Sequence, residues 1–173
     1  MTAKKVSIPT GPGEKISGRL SLPKNQDRGQ GIVFAHGAAN DMDHPLLAAV
    51  AEGLACQGFS FLSFNFPYRE KGRKSPDPEH RLIHAWISAV DHVKKQTGCQ
   101  NVVAAGKSLG ARMAAQAYAQ GDLQVQGLIF LGFPLHAPGK KESLRDGLLK
   151  KINIPVLFFQ GTRDPFCDLD LLK

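Results

Sequence analysis

The stretch Val102-Val103-Ala104-Ala105-Gly106-Lys107-Ser108-Leu109-Gly110 constrains the fold more than any other part of this chain. A short apolar run enters Gly-x-Ser-x-Gly and leaves as a helical pattern carrying Ala111, Ala114, Ala115, Ala117 and Ala119. Strand, sharp turn and helix in that order lift a serine hydroxyl above the end of a sheet, the setting a nucleophile elbow requires. Gly106 and Gly110 fit because a Cβ at either place would strike the neighbouring strand or helix. The helix N-terminus beside Ser108 favours negative charge developing there. Gly106-Lys107-Ser108 also mimics the end of a phosphate loop. Asn101 stands where that loop needs its first glycine, and residues 102–105 read as strand, so the phosphate loop fails.

Around this element, short apolar runs alternate with longer segments of helical period, which predicts a parallel sheet with crossover helices. The runs are Ile32 to Ala35, Phe59 to Phe66, Val102 to Ala105, Leu128 to Leu131 and Val156 to Phe159. They are nearly continuous in apolar residues, as strands buried on both faces should be. Lys5 to Pro9 and Ile16 to Leu22 flank Gly11-Pro12-Gly13-Glu14 and predict an antiparallel hairpin ahead of the sheet. One helix is expected from Pro45, with Leu46, Leu47, Val50 and Leu54 as its stripe and Gly58 as its end. A second takes Asp77 as N-cap and Pro78 as first residue, buries Leu82, Trp86, Ala89, Val90 and Val93, and stops at Gly98. A shorter helix is expected around residues 143–151.

Two further segments carry chemistry. His36-Gly37-Ala38-Ala39 follows the strand at Ile32, where a loop can offer a backbone N–H to an oxyanion. The donors expected are Ala38, with Gly37 as its alternative, and Leu109, with His36 bracing the loop. Asp164, in Gly161-Thr162-Arg163-Asp164-Pro165 after the last strand, suits the acid that orients a histidine in the chain order Ser, Asp, His. The six histidines, at 36, 44, 80, 84, 92 and 136, all precede Asp164. His80, His84 and His92 share the polar face of one helix. His136 lies in a loop at the correct end of the sheet, where it could approach Ser108 as a substitute base.

Composition closes off other classes. At 42% hydrophobic and 21% charged residues, 173 residues suit one globular domain. The formal charge of +7 is spread along the chain with no arginine-aromatic cluster, so no nucleic-acid partner is expected. The basic start Met1-Thr2-Ala3-Lys4-Lys5 is followed by no apolar signal region, and no run reaches a membrane span. Cys56, Cys99 and Cys167 are odd in number and widely spaced, which points to reduced thiols and a cytoplasmic protein. No dinucleotide fingerprint or H-E-x-x-H pattern is present, so neither a cofactor nor a metal is expected.

Five stretches together resemble the small dienelactone-hydrolase-related α/β-hydrolases. They are His36-Gly37-Ala38 with Met42 to Pro45, Phe64 to Tyr68, Gly106 to Arg112, Leu131 to Leu135, and Gln160 to Asp164. More narrowly, they are similar to the group holding bacterial predicted hydrolases, the testis-expressed hydrolase-like protein and a subunit of a nuclear acetyltransferase complex. The resemblance implies an α/β-hydrolase fold, Ser108 as nucleophile and Asp164 as acid, and because no long insertion interrupts the core, no lid domain is expected. It also implies a histidine loop after Asp164 and a further strand and helix, for which the chain has no counterpart. Residues 1–173 are therefore read as a single, C-terminally incomplete domain. The function expected is hydrolysis of a small ester, thioester or lactone through an acyl-enzyme. The substrate would be anionic if Arg69, Lys71, Arg73, Lys74, Lys140 and Lys141 rim the site. The alternative is a non-catalytic scaffold of the same fold that binds a protein partner. Oligomeric state is not legible in these residues.

Overall fold

The computed structural model describes residues 3–172; Met1 and Thr2 of the basic start, and Lys173, lie outside them. Seven strands form one sheet: β1 (Lys4–Gly11), β2 (Glu14–Ser21), β3 (Gln30–Ala35), β4 (Ser60–Phe64), β5 (Asn101–Lys107), β6 (Gly127–Leu131) and β7 (Val156–Phe159). Their order is β1-β2-β4-β3-β5-β6-β7. The pairs β1–β2 and β2–β4 are antiparallel and the rest are parallel. This is the α/β-hydrolase arrangement, with the predicted hairpin at one edge. Five helices connect the strands: α1 (Pro45–Cys56), α2 (Pro67–Glu70), α3 (Glu79–Thr97), α4 (Leu109–Ala119) and α5 (Asp146–Leu149). Among the described residues no inserted subdomain folds over the strand ends, and no helix is long and apolar enough to cross a membrane.

The sheet separates two apolar clusters. On one face α3 and α4 bury Leu82, Trp86, Val90, Met113 and Ala114 against Val33, Leu62, Phe64 and Ala104. On the other, α1 covers Ile32, Phe34, Phe61 and Ala105 with Leu47 and Ala51. Alternation along each strand divides its side chains between the two clusters. α3 ends at Gly98, whose left-handed φ of 75° suits glycine.

Four expectations need correction. The buried stripe of α1 is Leu47, Ala51 and Ala55, while Leu46 turns to solvent. The N-cap of α3 is Pro78, and Asp77 makes no capping bond; it is buried and pairs with Arg73 instead. A cation one turn away satisfies one carboxylate oxygen, which outcompetes the cap. The helix expected over residues 143–151 shortens to the single turn α5. Finally, β7 is not buried on both faces: Leu157 and Phe159 are 50% and 57% exposed. As the last strand of the described sheet it has one neighbour only, and α1 lies too far across the sheet to cover it.

Candidate active site

The elbow sits at the centre of the sheet, where β5 is flanked by β3 and β6, and Gly106 is in register with Ala35 on one side and Phe130 on the other. Ser108 has φ 51° and ψ −108°, the one non-glycine residue with positive φ among those described. Such backbone costs on the order of 1–3 kcal/mol and persists only where its surroundings impose it. They do so here. A Cβ on Gly106 would stand 2.4 Å from the Ala111 nitrogen, and one on Gly110 would stand 2.3 Å from the Ala35 oxygen. Both neighbours are backbone, so α4 can pack this closely against β5 and the end of β3 only with glycine at both positions. Trp86 lies beneath and donates its indole N–H to the Gly110 oxygen at 3.2 Å. The Ser108 N–H donates to the Leu131 oxygen at 2.9 Å, while the hydroxyl caps nothing and the side chain is half-buried.

The loop after β3 meets this elbow directly. A Cβ on Gly37 would lie 3.6 Å from Ser108 Cβ and 3.5 Å from the Lys107 oxygen. Leu109 opens α4, so its N–H has no acceptor within the helix. The Ala38 carbonyl accepts from the Tyr68 hydroxyl at 2.9 Å, which holds the residue expected to supply the second donor. Burial pushes the Tyr68 hydroxyl up to about 12, so it remains a proton donor at neutral pH. No local pattern marks Tyr68 for this task. It lies 30 residues from Ala38, and only the fold joins them.

His36 is hydrogen-bonded through both ring nitrogens. Its Nδ1–H donates to the Gly37 oxygen at 2.7 Å and its Nε2 accepts the Phe66 N–H at 3.2 Å, tying the end of β3 to the start of α2. Burial pushes the imidazole below its ordinary pKa, and the Arg69 charge pushes the same way. A folded-state pKa below the unfolded one means that the unfolded chain binds more protons. Stability is therefore full above about pH 6.5 and falls as pH drops through that value. His92, half-buried in α3, is lowered too, also by burial. Urea midpoints measured at about pH 7.5 and about pH 5.5 should drop on acidification, and His36→Gln should flatten the drop without removing it. An unchanged pH slope in the variant would sink this account.

Asp164 occupies the turn after β7. Its Oδ1 accepts the Phe166 N–H at 2.9 Å and its Oδ2 accepts from Gln160 Nε2 at 2.7 Å. A shallow depression of about 500 Å³ beside it is lined by His136, Lys141, Thr162, Arg163 and Asp164. Parallel pairing brings β5, β6 and β7 to the same end of the sheet, which gathers Ser108, the His36–Ala38 loop and Asp164 there. His136 does not serve as a free base: Nδ1–H donates to the Ala137 oxygen at 2.9 Å and Nε2 accepts the Asp168 N–H at 2.9 Å. His44 caps α1 through Leu46 N–H, and His80 and His84 are exposed on α3. Among the basic residues expected to rim the site, Arg69, Arg73 and Lys141 already face Asp41, Asp77 and Asp168. That leaves less positive charge for an anionic substrate than the sequence suggests. Cys56, Cys99 and Cys167 are all free thiols.

Solved structures share this fold. An alpha-beta serine hydrolase homologue from Coxiella burnetii is 20% identical, with 99% of this chain and 80% of that one covered and a TM-score of 0.78. A lidless α/β serine hydrolase from Xanthomonas campestris is 19% identical over 99% and 77% of the two chains, with a TM-score of 0.76. Dienelactone hydrolase from Anabaena variabilis is 19% identical over 97% and 91%, with a TM-score of 0.69. The family model for the alpha/beta hydrolase domain matches residues 28–173, the elbow, the His36–Ala38 loop and Asp164 included. The chain belongs to the alpha/beta hydrolase domain family.

Proposed function

We propose that the chain is a serine hydrolase acting on small esters, thioesters or lactones through an acyl-enzyme on Ser108. The observation that carries the reading is the strained serine, held at φ 51° with a hydroxyl that caps nothing. A serine with a purely structural task would relax into ordinary backbone or cap the helix below it. In this reading Ser108 Oγ attacks the acyl carbon, and the N–H groups of Leu109 and Ala38 receive the oxyanion. A base takes the Ser108 proton and passes it to the departing alcohol or thiol; water then attacks the acyl-enzyme, releasing the acid and returning a proton to Ser108. Asp164 is the carboxylate that orients the base. Among the described residues no histidine ring nitrogen is hydrogen-bonded to Ser108 or Asp164.

The solved neighbours include proteins described as serine hydrolases and a dienelactone hydrolase, which supports a small carbonyl substrate. The narrower kinship with the testis-expressed hydrolase-like protein and the acetyltransferase-complex subunit belongs to this proposal as well. It does not shift the reading to a scaffold, because a binding module has no use for the strained serine, the donor loop and the acid together. Three unpaired thiols support a reducing compartment such as the cytoplasm.

The test is labelling with a fluorophosphonate probe, on the 173-residue chain and on any longer form its natural sequence provides, with Ser108→Ala as control. Labelling of either form that disappears in Ser108→Ala is the expected result. Folded protein that takes no label in either form overturns the enzyme reading.

A further inference from the structure

We propose that Gln160 is the positioning residue for Asp164, clamping the carboxylate to the segment after β6, whose end bonds the Ser108 backbone. The inference rests on the serine-hydrolase reading above. Gln160 is the first residue past β7 and is half-buried. Its Oε1 accepts the Phe133 N–H at 2.8 Å, and its Nε2 donates to Asp164 Oδ2 at 2.7 Å. The assignment of amide oxygen and nitrogen is dictated by the partners, since a backbone N–H cannot accept and a carboxylate cannot donate.

The Phe133 end of the clamp is rigid. Its ring is fully buried and packs on Phe130 at 4.9 Å and Phe158 at 6.1 Å. Two residues earlier, the Leu131 oxygen accepts the Ser108 N–H. A continuous path therefore runs from the serine backbone through Leu131 and Phe133 to the amide of Gln160 and on to Asp164. Phe166 N–H holds the other carboxylate oxygen, so both oxygens of Asp164 are fixed and its plane is set. Gly132 turns the chain beside it with a left-handed φ of 63° that suits glycine, and its Cβ position lies in ordinary contact, 3.4 Å, with Asp164 Oδ2. An acid that orients a base must itself be oriented, and losing that outer support typically costs about 10–100-fold in activity.

The amide is chemically specific. Leucine at this position could do neither task, and ionised glutamate would accept from Phe133 but repel Asp164. Protonated glutamate could both accept and donate. This contrast gives the experiment. Ser108-dependent turnover of p-nitrophenyl acetate is measured for the wild type, Gln160→Leu and Gln160→Glu, in the form that takes the fluorophosphonate label. Gln160→Leu should lose about 10–100-fold in kcat with little change in KM. Gln160→Glu should match it at alkaline pH and recover relative to wild type on acidification, a recovery that lost folding could not produce. In parallel, the Gln160 side-chain NH2 resonance should lie downfield in the wild-type protein and return to the free-amide position in Asp164→Ala. A free-amide resonance in the wild type, wild-type kcat in Gln160→Leu, or a Gln160→Glu pH profile parallel to wild type each overturns the proposal. If Ser108→Ala leaves turnover unchanged while the NH2 resonance still reports Asp164, the hydrolase reading is what has failed. The clamp is then only a structural brace.

Discussion

Replacing Trp86 with alanine should destabilise the protein by about 3–5 kcal/mol, the range for removing a large buried aromatic side chain. Trp86 is fully buried on α3, between the sheet and the first turn of α4. Its ring meets Phe64 edge to face at 5.2 Å and 77°. The indole N–H also satisfies the Gly110 oxygen, so alanine leaves both a cavity and a buried carbonyl without its donor. Trp86→Phe separates the two terms, since it keeps most of the packing and loses the hydrogen bond; the expected cost is about 1–3 kcal/mol. Urea unfolding followed by circular dichroism reads both variants, because Trp86 is the sole tryptophan and its fluorescence goes with it. A loss below about 1 kcal/mol for Trp86→Ala would mean that the site collapses around the change and that the packing described here is not what supports the elbow.

Gly110→Ala should cost about 3 kcal/mol or more, and Gly106→Ala a comparable amount, although each adds only one methyl group. The added carbon would fall 2.3 Å from the Ala35 oxygen in the first case and 2.4 Å from the Ala111 nitrogen in the second. Neither atom belongs to a side chain that can swing away. Relief requires α4 to move off the sheet, which also moves Ser108 and the Leu109 N–H. Gly53→Ala is the internal control. Gly53 lies within α1 with nothing near its Cβ position, so alanine there should stabilise the protein by up to about 1 kcal/mol through helix propensity alone. Denaturant midpoints that move in opposite directions for positions 53 and 110 support the account; a tolerated alanine at 110 refutes it.

Much of this architecture was legible before any coordinates. Apolar runs of four to eight residues separated by helical periods can bury themselves only as a covered parallel sheet, and β3 through β6 fall where those runs lie. The elbow was legible because two glycines at fixed spacing after a strand have few other physical reasons to be there. Expectations failed where a residue's fate depended on what stands across from it. The composition of Val156 to Phe159 matches that of the buried strands, yet its exposure follows from standing at the sheet edge. Asp77 before a proline looks like a helix cap, but Arg73 draws it away.

The sequence by itself determined the order of elements, the glycine-flanked serine, the His36–Ala38 loop after β3 and the carboxylate after β7, because these depend on chain direction, periodicity and the size of neighbouring residues. Only the tertiary structure decided which side chains hold that machinery in place. Tyr68 reaches Ala38 across 30 residues, Gln160 reaches Phe133 across 27, and Trp86 reaches Gly110 across 24. Hydrogen bonds act over about 3 Å and carry no signature in local composition, so such partners become visible only when folding brings distant strand ends to one edge of the sheet.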